Sequence, residues 1–297
     1  SGTWCWKISG SRAVNMVAKL IPRAWYGDKP DEAIVSDNDE NVKHLKWIAE
    51  RYSLTILSKS VWNRKTASLI VKKQRVPKIE KLEKATPSDQ FRGTLLDFQR
   101  EGLDFLLKSS GNALLADEMG LGKTVQTLAY LSKEKNAFPA LIIAPLVTLT
   151  HWQREIAKFL KKKSKNGKIN SNASPTSTMI RIGKSGDIGN YDFYIINYEL
   201  LHKRADDLAK LPIRSIVCDE VQHLRSKTTQ KYAAVKQLAA TESVKYRVGL
   251  SGTPIYNRGS EIWPIVDILK PGLLGSFKEF CEYFCWVDEK GKAIVLD

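Results

Sequence analysis

Eight consecutive residues near the middle of the 297-residue chain have the composition of a phosphate-binding loop. They read DEMGLGKT at 117–124 and lie between an apolar segment and a helical one. Gly120 and Gly122 permit a tight turn that directs several backbone N–H groups at phosphate oxygens, at a helix N-terminus. Lys123 can reach the β- and γ-phosphates, and the Thr124 hydroxyl can ligate Mg²⁺. We expect ATP to be bound by Met119, Gly120, Leu121, Gly122, Lys123, Thr124 and Val125.

A pair of carboxylates follows a second apolar segment. Asp219 and Glu220 begin the sequence DEVQH, directly after the apolar residues 213–218. Ligands of open α/β sheets bind in the crevice outside the carboxyl ends of the strands. At such a position Asp219 can hold Mg²⁺ together with Thr124, and Glu220 can orient and deprotonate an attacking water. We therefore predict ATP hydrolysis with Lys123, Asp219 and Glu220 as the catalytic residues.

A third segment, LSGTP at 250–254, also ends an apolar strand. We expect His223 of the DEVQH sequence to link the nucleotide to this segment. An ordinary polar surface role for His223 is the alternative. The residues predicted to couple the nucleotide site to the rest of the protein are His223, Ser251, Gly252 and Thr253.

The elements that must position these residues are strands alternating with helices, beginning at Phe91. This alternation is the signature of a parallel sheet covered by helices on both faces. The predicted strands are short, continuous apolar runs: Ala113–Ala116, Leu141–Pro145, Phe193–Asn197, Ile213–Cys218 and Arg247–Ser251. The polar stretch from Lys161 to Thr178 predicts a surface loop. The fold class is therefore α/β, with a central, mostly parallel sheet.

The first 85 residues predict a small mixed α/β unit. Its five tryptophans are expected to pack in a core, with stacking on bases as the alternative. The predicted elements are a strand at Trp4–Ile8, a helix at Arg12–Ile21, a strand at Ala33–Val35, a helix capped within 37–39 and running to about Tyr52, and extended segments at Leu54–Leu57 and Ala67–Val71. The charged, proline-punctuated stretch Lys72–Ser88 predicts a linker.

The net charge of the chain indicates the class of molecule that it binds. The chain has 47 Lys and Arg against 32 Asp and Glu, a net charge of +15. Such a surface favours a polyanion through counterion release, and nucleic acid is the commonest polyanion. No apolar stretch approaches the ~18 residues of a membrane span, so we expect an intracellular protein without a membrane partner. The cysteines lack zinc-ligand spacing and predict free thiols: Cys5, Cys218, Cys281 and Cys285.

Three motifs in this order, DEMGLGKT, DEVQH and LSGTP, resemble those of the superfamily 2 helicase-like ATPases, and within that group those of the Swi/Snf-type DNA translocases. The resemblance covers residues 93 to about 285. The family typically writes its phosphate loop as DEMGLGKT, which accounts for Asp117 at the usual first glycine. LDFQREG at 96–102 is similar to the family's adenine-recognition motif, which assigns Gln99 to the adenine edge.

The resemblance implies a RecA-like lobe, a second such lobe across the ATP cleft, and stepping along double-stranded DNA to remodel DNA structure or DNA-bound proteins. LIIAP at 141–145 and INYELL at 196–201 are similar to the family's DNA-facing segments, with Asn197 where Thr or Ser is commoner. The protein would then be DNA-associated, in the nucleus if the source is eukaryotic. The implied DNA contacts are Pro145, Leu146, Thr148, Asn197, Tyr198, Ser226 and Lys227.

We expect three parts: an accessory domain at 1–85, the first RecA-like lobe at 86–270, and the start of a connection to the second lobe at 271–297. The accessory domain is compatible with the annealing-helicase branch of the family and would recognise the substrate; a packing domain is the simpler alternative. Because no segment after Pro254 resembles the family's arginine-finger motif, we expect the 297 residues alone to bind nucleotide but hydrolyse it slowly.

Two other functions share these motifs. A strand-separating DNA or RNA helicase has the same three motifs, and the details around Gln99, Trp152 and Asn257 favour the Swi/Snf type. A DNA-binding module switched by nucleotide without turnover is disfavoured by the intact phosphate loop and carboxylates. The lysine run within 161–168 has three interpretations: a solvated loop, a DNA phosphate contact and a nuclear-import signal. Its members are Lys161, Lys162, Lys163, Lys165 and Lys168.

Overall fold

The computed structural model of the chain describes residues 5–19, 21, 24–29, 31–52, 54–67, 82–163, 168–180, 188–284, 286–287 and 293–294. These residues form two compact units. Named after the roles predicted from the sequence, the accessory unit contains the described residues of 1–77, 258–260 and 275–297, and the motor unit contains those of 78–257 and 261–274. Among the described residues, no helix combines the length and the apolarity that crossing a membrane requires.

The accessory unit begins with a three-stranded antiparallel sheet and three helices. In chain order these are β1 (Cys5–Ser9), α1 (Arg12–Lys19), β2 (Trp25–Tyr26), β3 (Glu32–Ser36), α2 (Asp39–Arg51) and α3 (Lys59–Ala67). The sheet has the order β1-β3-β2. Asn38 caps α2 by accepting a 2.8 Å hydrogen bond from the backbone N–H of Asn41. This cap confirms the predicted start of the helix.

The extended segments predicted after α2 are wrong where the structure describes them. Residues 54–57 have no strand, and Ala67 is the last residue of α3 rather than part of a strand; residues 68–71 lie outside the described residues. Tertiary packing explains the helix, because the Trp62 ring meets the Trp6 ring edge-to-face at 5.4 Å between centroids. Both tryptophans pack in the accessory core as predicted, whereas Trp25 is 46% exposed.

The motor unit contains most of the remaining elements. In chain order these are α4 (Asp97–Lys108), β4 (Asn112–Leu115), α5 (Lys123–Lys133), β5 (Ala140–Ala144), α6 (Leu149–Phe159), β6 (Lys162–Lys163), β7 (Ile169–Asn170), β8 (Ser177–Met179), β9 (Phe193–Asn197), α7 (Tyr198–Ala209), β10 (Ser215–Asp219), α8 (Gln230–Ala239), β11 (Tyr246–Leu250) and α9 (Ile262–Leu269). The accessory unit resumes with α10 (Phe277–Phe284), which contacts α2, and a pair of two-residue strands, β12 (Trp286–Val287) and β13 (Ala293–Ile294). The predicted domain boundaries stay predictions.

Six parallel strands form the centre of the motor unit, in the order β4-β11-β10-β5-β9-β8. Side chains alternate between its two faces, as strand geometry requires. Leu141 and Ile143 of β5 pack with α7, α8 and α9, while Ile142 packs on the other face with α4, α5 and α6. The predicted α/β fold is confirmed, and the five predicted strands correspond to β4, β5, β9, β10 and β11.

The predicted surface loop at 161–178 contains strands that the polar sequence did not indicate. β6 and β7 pair with each other, and β8 adds a parallel edge strand to the sheet beside β9. The Arg92 guanidinium donates hydrogen bonds to the carbonyl oxygens of Ala157, Ser171 and Ala173, at 3.0 to 3.1 Å. An arginine distant in sequence therefore supplies two of the hydrogen bonds that hold this segment, those to Ser171 and Ala173.

Candidate active site

The phosphate loop lies between β4 and α5, where the sequence predicted it. Gly120 and Gly122 have φ angles of +83° and +74°, a left-handed region that favours glycine. Gly122 is the N-cap of α5, so that the unpaired N–H groups of the first helical turn face the loop. Lys123 and Thr124 are the first two residues of that helix. The loop therefore has the backbone geometry of an anion-binding turn.

The Lys123 ammonium is held inside the curve of the loop. Its Nζ donates hydrogen bonds to the carbonyl oxygens of Asp117, at 2.7 Å, and Glu118, at 3.0 Å. Both acceptors belong to the loop itself, so the positive charge lies within the anion-binding turn. Phosphates bound there would compete with these carbonyls for the ammonium protons.

Gln99 is attached to the phosphate loop. Its Nε2 donates to the carbonyl oxygen of Leu121 at 3.3 Å, and its Oε1 accepts from the backbone N–H of Leu96 at 3.0 Å. A Cβ added at Gly122 would lie 2.5 Å from Nε2 of Gln99, so the glycine is also required for this approach. The structure thus places Gln99 beside the nucleotide loop, and its contact with adenine stays a prediction.

Asp219 ends β10 and is held by two hydrogen bonds to its carboxylate. Trp152 Nε1 donates to Oδ2 at 2.8 Å, and the backbone N–H of Glu220 donates to Oδ1 at 3.1 Å. Burial raises the pKa of Asp219 above its ordinary value, and the Trp152 hydrogen bond offsets part of that rise. The Lys123 ammonium of the phosphate loop also lowers the pKa of Asp219 in part, so the carboxylate lies within electrostatic reach of the loop. A carboxylate and a hydroxyl are the hard oxygen ligands that Mg²⁺ prefers, and joint ligation of Mg²⁺ by Asp219 and Thr124 stays a prediction.

Glu220 has an unusual backbone and a partner that sequence reasoning missed. Its φ of +50° and ψ of +55° lie in the left-handed region, which bulky residues rarely adopt outside functional sites. The side-chain amide of Gln222 donates from Nε2 to Oε2 of Glu220 at 2.6 Å. This hydrogen bond fixes the carboxylate expected to act as general base. The position of Gln222 within DEVQH is a signal that could have identified it.

Tyr198 is placed differently from its predicted role. The side chain is fully buried, its hydroxyl donates to the carbonyl oxygen of Asp219 at 2.7 Å, and its ring stacks on His223 at 4.9 Å between centroids. Burial raises the pKa of Tyr198 well above its ordinary value, so the hydroxyl remains a donor. The buried ring offers DNA no side-chain surface, and DNA contact at Tyr198 stays a prediction. The coupling role of His223 stays a prediction.

The LSGTP segment touches the phosphate loop directly. The backbone N–H of Ser251 bonds to the carbonyl of Leu115 at the end of β4, and the N–H of Thr253 bonds to Oγ of Ser251 at 2.9 Å. A Cβ at Gly252 would lie 3.1 Å from Cγ of Met119 and 3.3 Å from its backbone nitrogen. Movement of the loop would therefore displace Gly252, and the coupling roles expected for 251–253 stay predictions.

Glu261 joins the loop after Pro254 to Arg225, which follows the DEVQH segment, and the sequence did not single out Arg225 for this link. Oε2 of Glu261 accepts hydrogen bonds from the backbone N–H groups of Tyr256, at 2.8 Å, and Asn257, at 3.1 Å. Arg225 approaches Oε1 of Glu261 at 3.9 Å and lies over the Tyr256 ring. The short helical turn after Glu220 and the loop after Pro254 are thus connected through one carboxylate.

The remaining predicted DNA contacts lie at the same carboxyl edge. Pro145 follows β5 and Asn197 ends β9, and these strands lie next to one another beside β10. The exposed Leu146 is followed by Val147, which is 88% exposed. Other groups have local partners: Thr148 Oγ1 donates to the Pro145 carbonyl, Asn197 Oδ1 caps α7, and Ser226 Oγ lies 3.0 Å from Thr228 Oγ1, next to the exposed Lys227. DNA contact stays a prediction for all of them.

A parallel sheet with a phosphate loop and a carboxylate pair at its carboxyl edge defines the motor unit as a RecA-like nucleotide-binding lobe. A family model described as SNF2-related domain matches residues 98–294. The transcription regulatory protein SNF2 of Saccharomyces cerevisiae is 34% identical over 208 residues, 68% of this chain and 12% of that protein. The CHD3-type chromatin-remodeling factor PICKLE of Arabidopsis thaliana is 31% identical over 218 residues, 65% of this chain and 16% of that protein.

Among solved structures, the SWI2/SNF2 ATPase core of Sulfolobus solfataricus in complex with dsDNA is similar at a TM-score of 0.56 and 33% identity. The match covers 69% of this chain and 41% of that one. The chain therefore belongs to the SNF2-related family. It spans less than a fifth of the length of either curated relative.

Proposed function

We propose that this chain supplies the ATP-binding lobe of a motor that hydrolyses ATP to translocate on double-stranded DNA. One observation supports the proposal above others: Asp219 ends β10 and Glu220 follows it, at the same sheet edge as the phosphate loop and the segments that follow β5 and β9. ATP chemistry and DNA contact would thus occur on adjacent strand ends. The net charge of +15 adds a sequence-independent attraction for a polyanion.

The residues of this lobe have distinct roles in the proposed reaction. Loop N–H groups and Lys123 bind the phosphates, and Thr124 with Asp219 would hold Mg²⁺, which neutralises charge on the phosphate oxygens. Glu220, held by Gln222, accepts the proton from water as its oxygen bonds to the γ-phosphorus. The bond from that phosphorus to the bridging oxygen breaks, and ADP leaves with the electron pair. The products are ADP and inorganic phosphate.

The partners in this proposal are double-stranded DNA and a second RecA-like lobe facing the ATP site. The structure of the similar Sulfolobus solfataricus core contains dsDNA, which supports duplex rather than single-stranded DNA as the track. In this proposal the second lobe supplies an arginine finger, which contributes roughly 10³ to 10⁵ in rate. These 297 residues alone would therefore bind nucleotide but hydrolyse it slowly. Such a motor would remodel DNA-bound proteins or DNA structure, in a DNA-associated location.

The proposal is tested by the ATPase rate of the full-length protein with duplex DNA, single-stranded DNA and RNA. We expect duplex DNA to stimulate the rate most strongly, and Glu220→Gln to abolish the stimulation while ATP binding persists. Stimulation by RNA alone would overturn the choice of track. Equal stimulation by single strands would favour a strand-separating helicase, and nucleotide binding without turnover would favour a switched DNA-binding module.

A further inference from the structure

Two fully buried aromatic side chains hold Asp219 from opposite faces of the sheet. Trp152 belongs to the core on the α4–α6 face and donates to the Asp219 carboxylate at 2.8 Å. Tyr198 belongs to the core on the α7–α9 face and donates to the Asp219 backbone carbonyl at 2.7 Å. Both lengths are those of well-formed hydrogen bonds. A buried donor that loses its acceptor is costly, so Asp219 moves with these two side chains.

Each aromatic residue also lies at the start of a helix that follows a predicted DNA-facing segment. Trp152 is the fourth residue of α6, which begins directly after the short helical turn at 146–148. Tyr198 is the first residue of α7 and directly follows Asn197. A shift at the start of either helix therefore displaces a hydrogen-bond donor of Asp219. Each helix thus connects a predicted DNA-facing segment to the same aspartate, independently of the other helix.

We propose that Trp152 and Tyr198 are positioning residues that transmit contact with DNA, at 145–148 and at Asn197, to the Mg²⁺-binding Asp219. The inference rests on the proposed function and adds the route by which DNA acts on the nucleotide site. Mg²⁺ requires near-ideal octahedral geometry with short oxygen distances. A displacement of Asp219 by a fraction of an ångström is therefore sufficient to change how well the Mg²⁺–nucleotide complex is bound.

Coupling of this kind is reciprocal. If DNA strengthens the binding of Mg²⁺–nucleotide by some factor, then Mg²⁺–nucleotide strengthens the binding of DNA by the same factor. The factor can be measured without hydrolysis, as the ratio of duplex-DNA dissociation constants without and with a non-hydrolysable ATP analogue and Mg²⁺. Replacing Mg²⁺ by a chelator isolates the part of the coupling that requires the metal.

The experiment compares Tyr198→Phe and Trp152→Phe with the wild type in the full-length protein. Tyr198→Phe removes only the hydroxyl and keeps the ring that stacks on His223. Tyr232→Phe is a matched control, since this buried tyrosine on the same face of the sheet donates to Asp267 rather than to Asp219. We expect both test variants to lower the Mg²⁺-dependent coupling ratio at least threefold, and the control to leave it unchanged. DNA affinity without nucleotide should stay within twofold of the wild type.

The outcomes separate this inference from the function on which it rests. If the wild-type protein shows neither coupling nor DNA-stimulated hydrolysis, the proposed function itself is contradicted. A wild type that shows both, with unchanged coupling in Tyr198→Phe, would overturn the inference alone. A loss of DNA affinity without nucleotide in either variant would also overturn it, because the residue would then act on DNA binding directly. Thermal unfolding checks that Trp152→Phe is folded; if it is not, the coupling ratio of Tyr198→Phe alone decides.

Discussion

The side-chain amide of Gln126 donates a 2.9 Å hydrogen bond from Nε2 to Oδ2 of Asp117. The same Nε2 lies 3.2 Å from the carbonyl oxygen of Leu121, and Gln126 is fully buried in α5. One side chain thus ties the first residue of the phosphate loop and its middle to the helix that follows. This explains why a carboxylate occupies the position where phosphate loops usually begin with glycine.

We predict that Asp117→Ala weakens ATP binding about tenfold or more, because hydrogen bonds to charged groups contribute about 1.5–3 kcal/mol. Loss of the acceptor leaves the buried Gln126 amide without its best partner. The matched control is Glu118→Ala, which removes the neighbouring exposed carboxylate of the same loop. Calorimetric titration with ATP measures both variants. Equal affinity of Asp117→Ala and the wild type would contradict a role for Asp117 in shaping the loop.

We predict that the Gln126 side chain can keep its position only if residue 102 is glycine. A Cβ at Gly102 would lie only 1.7 Å from Oε1 of Gln126, so Gly102→Ala forces buried groups apart. We expect a loss of about 1–3 kcal/mol in the free energy of unfolding, typical of overpacking. Chemical denaturation measures the loss, and exposed Glu101→Ala on the same helix is the control.

A double variant makes the Gly102 prediction specific. In a Gln126→Ala background the clash is absent, and Gly102→Ala should then be nearly neutral, so that the two changes are strongly non-additive. A loss from Gly102→Ala that is as large in the Gln126→Ala background as in the wild type would place the strain elsewhere.

Sequence predicted the motor sheet because its strands are buried on both faces. Ile142 is buried on one face of the sheet, and its neighbours Leu141 and Ile143 are buried on the other. A strand buried on both faces is a continuous apolar run, which can be recognised from the sequence alone. The phosphate loop and DEVQH could also be predicted from the sequence, because their chemistry depends on residues that are adjacent in the chain. Strand β8 was missed because its three half-buried residues have no apolar run.

The partners of the site residues could not be predicted from local pattern. Tyr198 follows a polar asparagine at a strand end, and only the packing of α7 on the sheet decides that its ring is buried against His223. The contact of Trp152 with Asp219 joins residues 67 positions apart. Such contacts depend on the order of β10, β5 and β9 in the sheet, which the sequence did not specify.

We predict that His223 titrates below its ordinary pKa. Burial, and secondarily the Lys231 ammonium, lower the pKa of His223 from 6.5. The unfolded chain then binds a proton more readily than the folded one, so this group reduces stability as the pH falls through 6.5 and has no effect well above it. NMR titration of the imidazole should give a midpoint under 6.5.

A stability measurement checks the sign for His223. Between pH 7.5 and 5, the wild type should lose more unfolding free energy than His223→Gln, which cannot be protonated. An NMR midpoint above 6.5, or a steeper acid loss in His223→Gln, would contradict the partial desolvation of the imidazole that stacks on Tyr198.

The lysine run is predicted to make no contact with DNA phosphates. Helix α6 begins at the carboxyl edge of the sheet and has 11 residues, so it carries the chain about 16 Å away from that edge. The run begins after its end, where Lys161 donates to the carbonyl of Asp89 at 2.9 Å. Lys165 lies outside the described residues. The structure therefore favours the solvated-loop interpretation.

Salt dependence of duplex binding tests this placement. Changing the lysines of the run to glutamine should leave the slope of log affinity against log salt unchanged. Lys227→Gln, at the edge predicted to contact DNA, should reduce the slope by about 0.9. A smaller slope in the variants of the lysine run, with an unchanged slope in Lys227→Gln, would show that DNA binds at the other end of α6 and would contradict this placement.

Translocation on an intact duplex is the most direct test of the central claim, that this lobe converts ATP hydrolysis into movement along double-stranded DNA. The measurement is displacement of a triplex-forming third strand by the full-length protein. We predict displacement that requires ATP and Mg²⁺ and is lost in Glu220→Gln, although that variant still binds ATP. Unwinding of forked DNA without triplex displacement, or displacement that survives Glu220→Gln, would contradict the claim.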